Sequence, residues 1–188
     1  KNEHYKVRLA CADSLGRIGD RFAVAPLIDV VKDEDEKSVY LRETAVSALG
    51  LLGDARALDP IVSILETKQG IINKFTFLKE RAIEALMKMG FGEDERVFKA
   101  LKNSLADESV QIRINAVEAL MDSEHPKAFE TIKKVLFEDE DIEVRKNAMI
   151  ALYNMSDRSI LDEVINSPSF PDVLKMEAVG IIEEYEND

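Results

Sequence analysis

Large apolar, basic and small residues recur along this chain in a fixed order. Six segments align: VRLACADSLG from Val7, LRETAVSALG from Leu41, LKERAIEALM from Leu78, IRINAVEALM from Ile112, VRKNAMIALY from Val144 and LKMEAVGIIE from Leu174. In each, a large apolar residue is followed at once by a basic one. A small residue comes four positions after the first, and small or apolar residues follow at seven and eight. Offsets of 0, 4, 7 and 8 mark one face of a 3.6-residue helix, so each segment is predicted to be an amphipathic helix. Of the 24 positions so defined, only Ser14 is polar.

The basic residues Arg8, Arg42, Lys79, Arg113, Arg145 and Lys175 are spaced by 34, 37, 34, 32 and 30 residues. That period holds two short helices and two turns. A second helix is visible as Val24, Leu27, Ile28 and Val31, then as Leu58, Ile61, Val62 and Leu65. Phe98, Leu101 and Leu105 repeat it, as do Phe129, Ile132 and Leu136. A shorter form is Ile160, Leu161, Val164 and Ile165. Six of the eight glycines lie between the first and second helix of a unit, where glycine ends helices. Asp20 and Asp54 follow and can cap what comes next. Pro26 and Pro60 mean that the second helix begins there or that a separate short turn precedes it. No period-2 run of β-branched residues survives, so no strand is expected.

The strings ADSLGRIGDRFAVAPLIDVV and AVSALGLLGDARALDPIVSIL resemble HEAT repeats, most closely the short variety of the phycobilisome-lyase type. The resemblance covers essentially the whole chain and weakens after Gly90, where the Leu-Gly-x-x-Gly-Asp turn becomes LMDSEHP and LYNMSD. It implies an all-α fold, an α-solenoid of about five and a half helical hairpins in one domain over residues 1–188. The units are expected near 5–37, 38–73, 74–107, 108–140 and 141–168, with a C-terminal cap helix near 171–186. A preceding unit in a parent protein would fit the abrupt start. The acids Glu183, Glu184, Glu186 and Asp188 suit a capping end. The resemblance also implies that the basic residues Arg8, Arg42, Lys79, Arg113, Arg145 and Lys175 form a structural ladder. Their expected partners are the turn aspartates of neighbouring units, Asp20, Asp54, Asp94, Asp122 and Asp157. Cys11 stands in the alanine slot of its unit and is expected to be buried.

Charge narrows the function classes. Lys and Arg number 25 against 37 Asp and Glu, a net charge of −12, which disfavours a nucleic-acid groove and hence a HEAT-like DNA glycosylase. No run approaches the ~18–20 apolar residues of a spanning helix, so no membrane insertion is expected. One cysteine excludes an internal disulfide framework and is consistent with a cytoplasmic protein. Much of the acid falls in turns, at Asp33 to Glu36, Glu93 to Glu95 and Glu138 to Asp141, where solvated ridges are the ordinary explanation.

Chemistry is sparse. His4 and His125 have no partner at metal or catalytic spacing, and His125, before Pro126, is expected in an exposed loop. The family includes an iron hydroxylase with His-Glu pairs at the two positions after the ladder base. Here those positions read Leu9-Ala10, Glu43-Thr44, Glu80-Arg81, Ile114-Asn115 and Lys146-Asn147. No nucleophile elbow, phosphate loop or Cys-x-x-Cys is present. No catalytic, cofactor or metal residue is therefore assigned, and the expectation is a non-enzymatic scaffold that binds another protein on its concave face. The alternative implied by the resemblance is a phycobilin lyase-like or pigment-protein chaperone subunit of a heteromeric complex. Such relatives attach, remove or help degrade tetrapyrroles. Two features are candidates for partner binding. One is a cationic patch on the second helices, Arg96, Lys99, Lys102 and Lys134. The other is an irregular insertion with Ile71, Ile72, Phe75 and Phe77. Neither partner identity nor oligomeric state follows from the sequence.

Overall fold

A computed structural model describes residues 2–33, 36, 38–67, 76–155 and 158–186. These residues form α1 (Asn2–Ile18), α2 (Val24–Lys32), α3 (Val39–Leu52), α4 (Leu58–Glu66), α5 (Thr76–Lys88), α6 (Glu95–Ser104), α7 (Val110–Asp122), α8 (Ala128–Glu138), α9 (Ile142–Asn154), α10 (Ser159–Asn166) and α11 (Asp172–Glu186). No strand occurs among them. Odd-numbered helices carry the aligned segments and are called A helices. Even-numbered ones are the B helices.

The A helices stack in order, α1 on α3, α3 on α5, and so on to α11. Each B helix packs chiefly on the A helix of the following unit: α2 on α3, α4 on α5, α6 on α7, α8 on α9 and α10 on α11. This is a two-layer helical solenoid, and the offsets found in the sequence are its seam. Leu41, Leu78, Ile112, Val144 and Leu174 at offset 0 are at most 1% exposed, and the alanines at offset 4, Ala45, Ala82, Ala116, Ala148 and Ala178, are fully buried. Burying each such large side chain stabilises the stack by about 1.5–3 kcal/mol. The small residue lets the preceding B helix approach the backbone.

Glycine sets the A-to-A spacing. A Cβ on Gly16 would stand 2.7 Å from the Ala48 Cβ, and one on Gly50 would stand 2.9 Å from the Ala85 Cα. The A helices close on these points because neither glycine has a side chain. Gly53, at φ 61°, ends α3 in the left-handed region. Pro26 and Pro60 are each the third residue of a B helix, and a 3-10 turn precedes it, Arg21–Ala23 in one unit and Ala55–Ala57 in the next. Asp20 and Asp54 cap those turns, accepting from the Phe22 and Arg56 N–H groups at 2.9 and 3.0 Å.

Cys11 is exposed, contrary to the expectation from its alanine slot. Its counterparts are covered by the B helix of the preceding unit, and among the described residues no B helix covers that face of α1. Val7 shares the face and is 60% exposed, where its counterparts are buried. His125 departs in the other direction. It is 5% exposed and stacked on Phe98, with ring centroids 4.0 Å apart and planes at 9°. Glu124, at φ 55°, turns the chain so that the imidazole folds back over α6.

Candidate functional site

Arg42, Lys79, Arg113, Arg145 and Lys175 sit in the first turn of their A helices, where one B helix ends and the next unit begins, and Arg8 lies further along α1. Arg8 pairs with Glu36. Lys79 Nζ lies 2.5 Å from Asp107, and Arg113 donates from Nε and Nη2 to Asp139 at 3.0 and 3.1 Å. Lys79 and Arg113 are nearly buried with their partners. A second set of bonds runs backward. Arg42 Nε donates to the Val31 carbonyl at 3.2 Å, Arg145 Nε to the Leu136 carbonyl at 2.8 Å, and Arg113 Nη1 to the Asp107 carbonyl at 3.0 Å. These acceptors belong to the end of the preceding B helix or the turn after it. Arg145 also lies over the Phe170 ring, 5.4 Å from its centroid. Half-buried Lys175 has no ion pair among the described residues.

The partners therefore differ from the expected aspartates. Asp20, Asp54 and Asp94 are drawn to the N-terminal N–H groups of the following turn or helix, Asp94 accepting from the Arg96 N–H at 2.8 Å. Asp122 is exposed and Asp157 lies outside the described residues. The acids that meet the bases follow the B helices, at the opposite end of the unit.

On the B-helix face, Lys99 and Lys102 are exposed on α6, three residues apart on one side of the helix, with no ion pair among the described residues. Arg96 is engaged, holding Asp94 by Nε at 3.0 Å and Nη2 at 2.8 Å, and Asp59 by Nη1 at 2.8 Å. That hydrogen bonding from Arg96 keeps the Asp94 carboxyl below the ordinary carboxylate range. Lys134 reaches Glu138 at 3.6 Å along its own helix, and Lys133 reaches Glu163 at 2.9 Å. The structure thus leaves Lys99 and Lys102 as the uncompensated cations of the proposed patch. Phe77 is 62% exposed at the start of α5, while Phe75, Ile71 and Ile72 lie outside the described residues.

Two features escaped the sequence. Asp13, Glu43, Thr44, Ser47, Leu51 and Arg81 line an open groove of about 230 Å³ across α1, α3 and α5. Burial pushes the Glu43 carboxyl up, Glu80 adds to this, and Arg81 opposes it. The second is the cluster at His125. Its Nδ1 accepts from the Lys127 N–H at 3.2 Å and its Nε2 faces Glu95 at 3.3 Å, while Lys127 Nζ bridges Glu95 at 2.9 Å. No sequence signal marks either one, since each joins residues from different repeats. Among the described residues no group of three or more His, Cys, Asp and Glu could hold a metal ion. No helix among them is long and apolar enough to cross a membrane.

The model for HEAT repeats matches residues 1–74 and 98–179, and the chain belongs to that family. Its repeats are of the short phycobilisome-lyase type. Over 126 residues it is 29% identical to deoxyhypusine hydroxylase of Bos taurus, a match covering 58% of this chain and 41% of that protein. Also over 126 residues it is 29% identical to phycocyanobilin lyase subunit alpha of a Picosynechococcus species, covering 62% of this chain and 43% of that one. Among solved structures, the complex of CpcE and CpcF of phycocyanin lyase from Nostoc aligns at 22% identity and a TM-score of 0.49. That alignment covers 96% of this chain and 68% of that one. The chain spans about two fifths of the length of the curated relatives it matches. These relatives are enzymes or enzyme subunits by name, and the likeness to the lyase subunit overturns the expectation of a protein without enzymatic function.

Proposed function

We propose that this chain serves as one subunit of a lyase-type complex that handles an open-chain tetrapyrrole and the protein that carries it. The observation that carries this reading is the likeness to phycocyanobilin lyase subunit alpha over 62% of the chain. The hydroxylase is matched over a similar stretch, but its chemistry would need the His-Glu pairs that positions such as Glu43-Thr44 and Glu80-Arg81 replace. A partner protein is part of the proposal, because the similar lyase protein is named as a subunit.

The pigment-contact surface in this reading is the B-helix face at α6. A bilin carries two propionate carboxylates, and Lys99 and Lys102 offer two cations on one helical side. Arg96 and Lys134 are occupied by carboxylates of their own and would contribute less to binding the acid groups. Phe77, exposed at the start of α5, is the aromatic candidate for contact with the carrier protein. Titration of phycocyanobilin with the chain tests the reading through the visible absorbance of the pigment, which changes when an open-chain tetrapyrrole is held in a fixed shape. An unchanged spectrum at saturating protein would withdraw it.

A further inference from the structure

We infer that the groove across α1, α3 and α5 is a seat for an arginine side chain of a partner polypeptide, with Glu43 as its principal carboxylate. The inference rests on the part of the proposed function that gives the chain a protein partner, and it needs no bilin. The groove belongs to an interior stretch of the stack. Helix α3 has A helices packed on both sides, α1 and α5, so the surface between them is not an end of the solenoid. Its volume of about 230 Å³ lies below the ~300–1,000 Å³ of pockets that enclose a drug-sized ligand, and it suits one long side chain. Ala48 and exposed Leu51 supply apolar wall for an alkyl stem.

Glu43 is the charge in the groove without a counter-ion. The other charges that line it are matched, Asp13 by Arg17 at 3.1 Å and Arg81 by Glu84 at 2.5 Å. Glu43 is half-buried and has no hydrogen bond or ion pair among the described residues. Burial is the main cause that raises its carboxyl above the ordinary range, and the opposing pull of Arg81 does not cancel it. The ionised form is thus held partly out of water, and an incoming cation would offset that desolvation.

The stack shows what meets this position elsewhere. Glu43 and Arg81 stand at offset 2 of one A helix and offset 3 of the next. At the same offsets of α9 and α11, Lys146 Nζ meets Glu177 at 3.1 Å and bridges the two helices. In α5 the base that could bridge to Glu43 is turned away. Glu84, three residues along the same helix, holds Arg81, and Lys88 Nζ anchors that carboxylate at 2.7 Å. The acid of the bridge remains without its base, so a cation from outside completes it. A guanidinium suits the groove better than an ammonium, because the acceptors lie on two helices. Glu43 and the Ser47 hydroxyl, which makes no hydrogen bond among the described residues, stand on α3, and Asp13 stands on α1. A planar fork of five donors serves several acceptors at once and is less strongly hydrated than an ammonium.

The probe is N-acetyl-arginine amide, titrated into the full chain and followed by amide NMR at Glu43, Thr44 and Ser47. The expected result is a saturable shift with a dissociation constant of about 1–10 mM, the scale of one well-placed side chain. N-acetyl-citrulline amide, which keeps the shape and lacks the charge, should give no saturable shift. Glu43→Gln should weaken binding by about tenfold, since it removes the charged acceptor at a half-buried position where the fold tolerates the amide. Glu84→Gln frees Arg81 to close the bridge to Glu43 and should weaken binding as well, without touching the carboxylate that is bound. No saturable shift up to about 50 mM of the arginine derivative would overturn the inference. So would equal shifts with the citrulline derivative, or binding that Glu43→Gln leaves unchanged. Tighter binding of N-acetyl-lysine amide would remove the arginine assignment. The groove lies on the A helices and the proposed pigment contact on a B helix, so this titration and the pigment titration fail independently.

Discussion

Arg113 and Asp139 meet as a two-point pair almost out of solvent, Nε and Nη2 on the two carboxylate oxygens at 3.0 and 3.1 Å. The third nitrogen of the same guanidinium holds the Asp107 carbonyl, and the Asp107 carboxylate in turn holds Lys79. Two successive units are joined through this one chain of contacts. Removing one partner of a buried pair strands the other, so Arg113→Ala should cost about 3–5 kcal/mol. Replacing both, as Arg113→Met with Asp139→Leu, should cost far less, because no charge is left to desolvate. Urea unfolding midpoints of the wild type and the two variants measure the difference. Equal losses in the single and double variants would mean that shape, and not the pair, is what matters.

Gly50 allows α3 to touch α5, and alanine there should destabilise despite its better helix propensity. The new Cβ would crowd Ala85 at 2.9 Å, an overpacking cost of about 1–3 kcal/mol against a helical gain of at most about 1 kcal/mol. Gly53→Ala should also lose about 1–2 kcal/mol, for its left-handed φ of 61° and not for lack of space. Ala85→Gly removes the Ala85 Cβ and leaves its Cα at 2.9 Å, so it should rescue the first variant only in part and leave the second unrescued. Thermal unfolding of the four proteins separates the two causes.

Acid should weaken the middle of the solenoid. The Arg96 side chain hydrogen-bonds the Asp94 carboxylate and depresses its folded pKa. A depressed carboxyl stabilises fully above its unfolded value of about 3.9, and that contribution is lost as pH falls through the lower folded value. The Tm of Asp94→Asn should lie below wild type at neutral pH, and the two curves should converge at acid pH. Parallel curves throughout would show that the ion pair with Arg96 adds nothing.

The helices were legible because the seam is periodic within each segment: offsets 0 and 4 are buried in all five A helices that a B helix covers. What the sequence hid lies between units. Cys11 matches its slot in identity, yet its burial depends on a neighbouring helix and not on its own segment. His125 follows a degenerate turn and precedes Pro126, which reads as exposed loop, but Phe98 from the preceding unit offers its ring as a stacking surface. The bases of the ladder were plain from their spacing. Their acids lie at the other end of the unit from the turn aspartates, and the sequence does not separate the two sets because a capping aspartate and a pairing aspartate look alike in one dimension. Lys99 and Lys102 stood out from Arg96 and Lys134 only once Asp59, Asp94 and Glu138 had been placed in space.

The most direct test of the proposed function is the visible absorbance of phycocyanobilin titrated with the wild-type chain and with the Lys99→Glu, Lys102→Glu double variant. Both substitutions are exposed, so the helix should persist. The account predicts a saturable spectral change with wild type and at least about a tenfold weaker one with the variant, since reversing two cations replaces attraction to the propionates by repulsion. A spectrum that wild type leaves unchanged, or that both proteins shift equally, would contradict it.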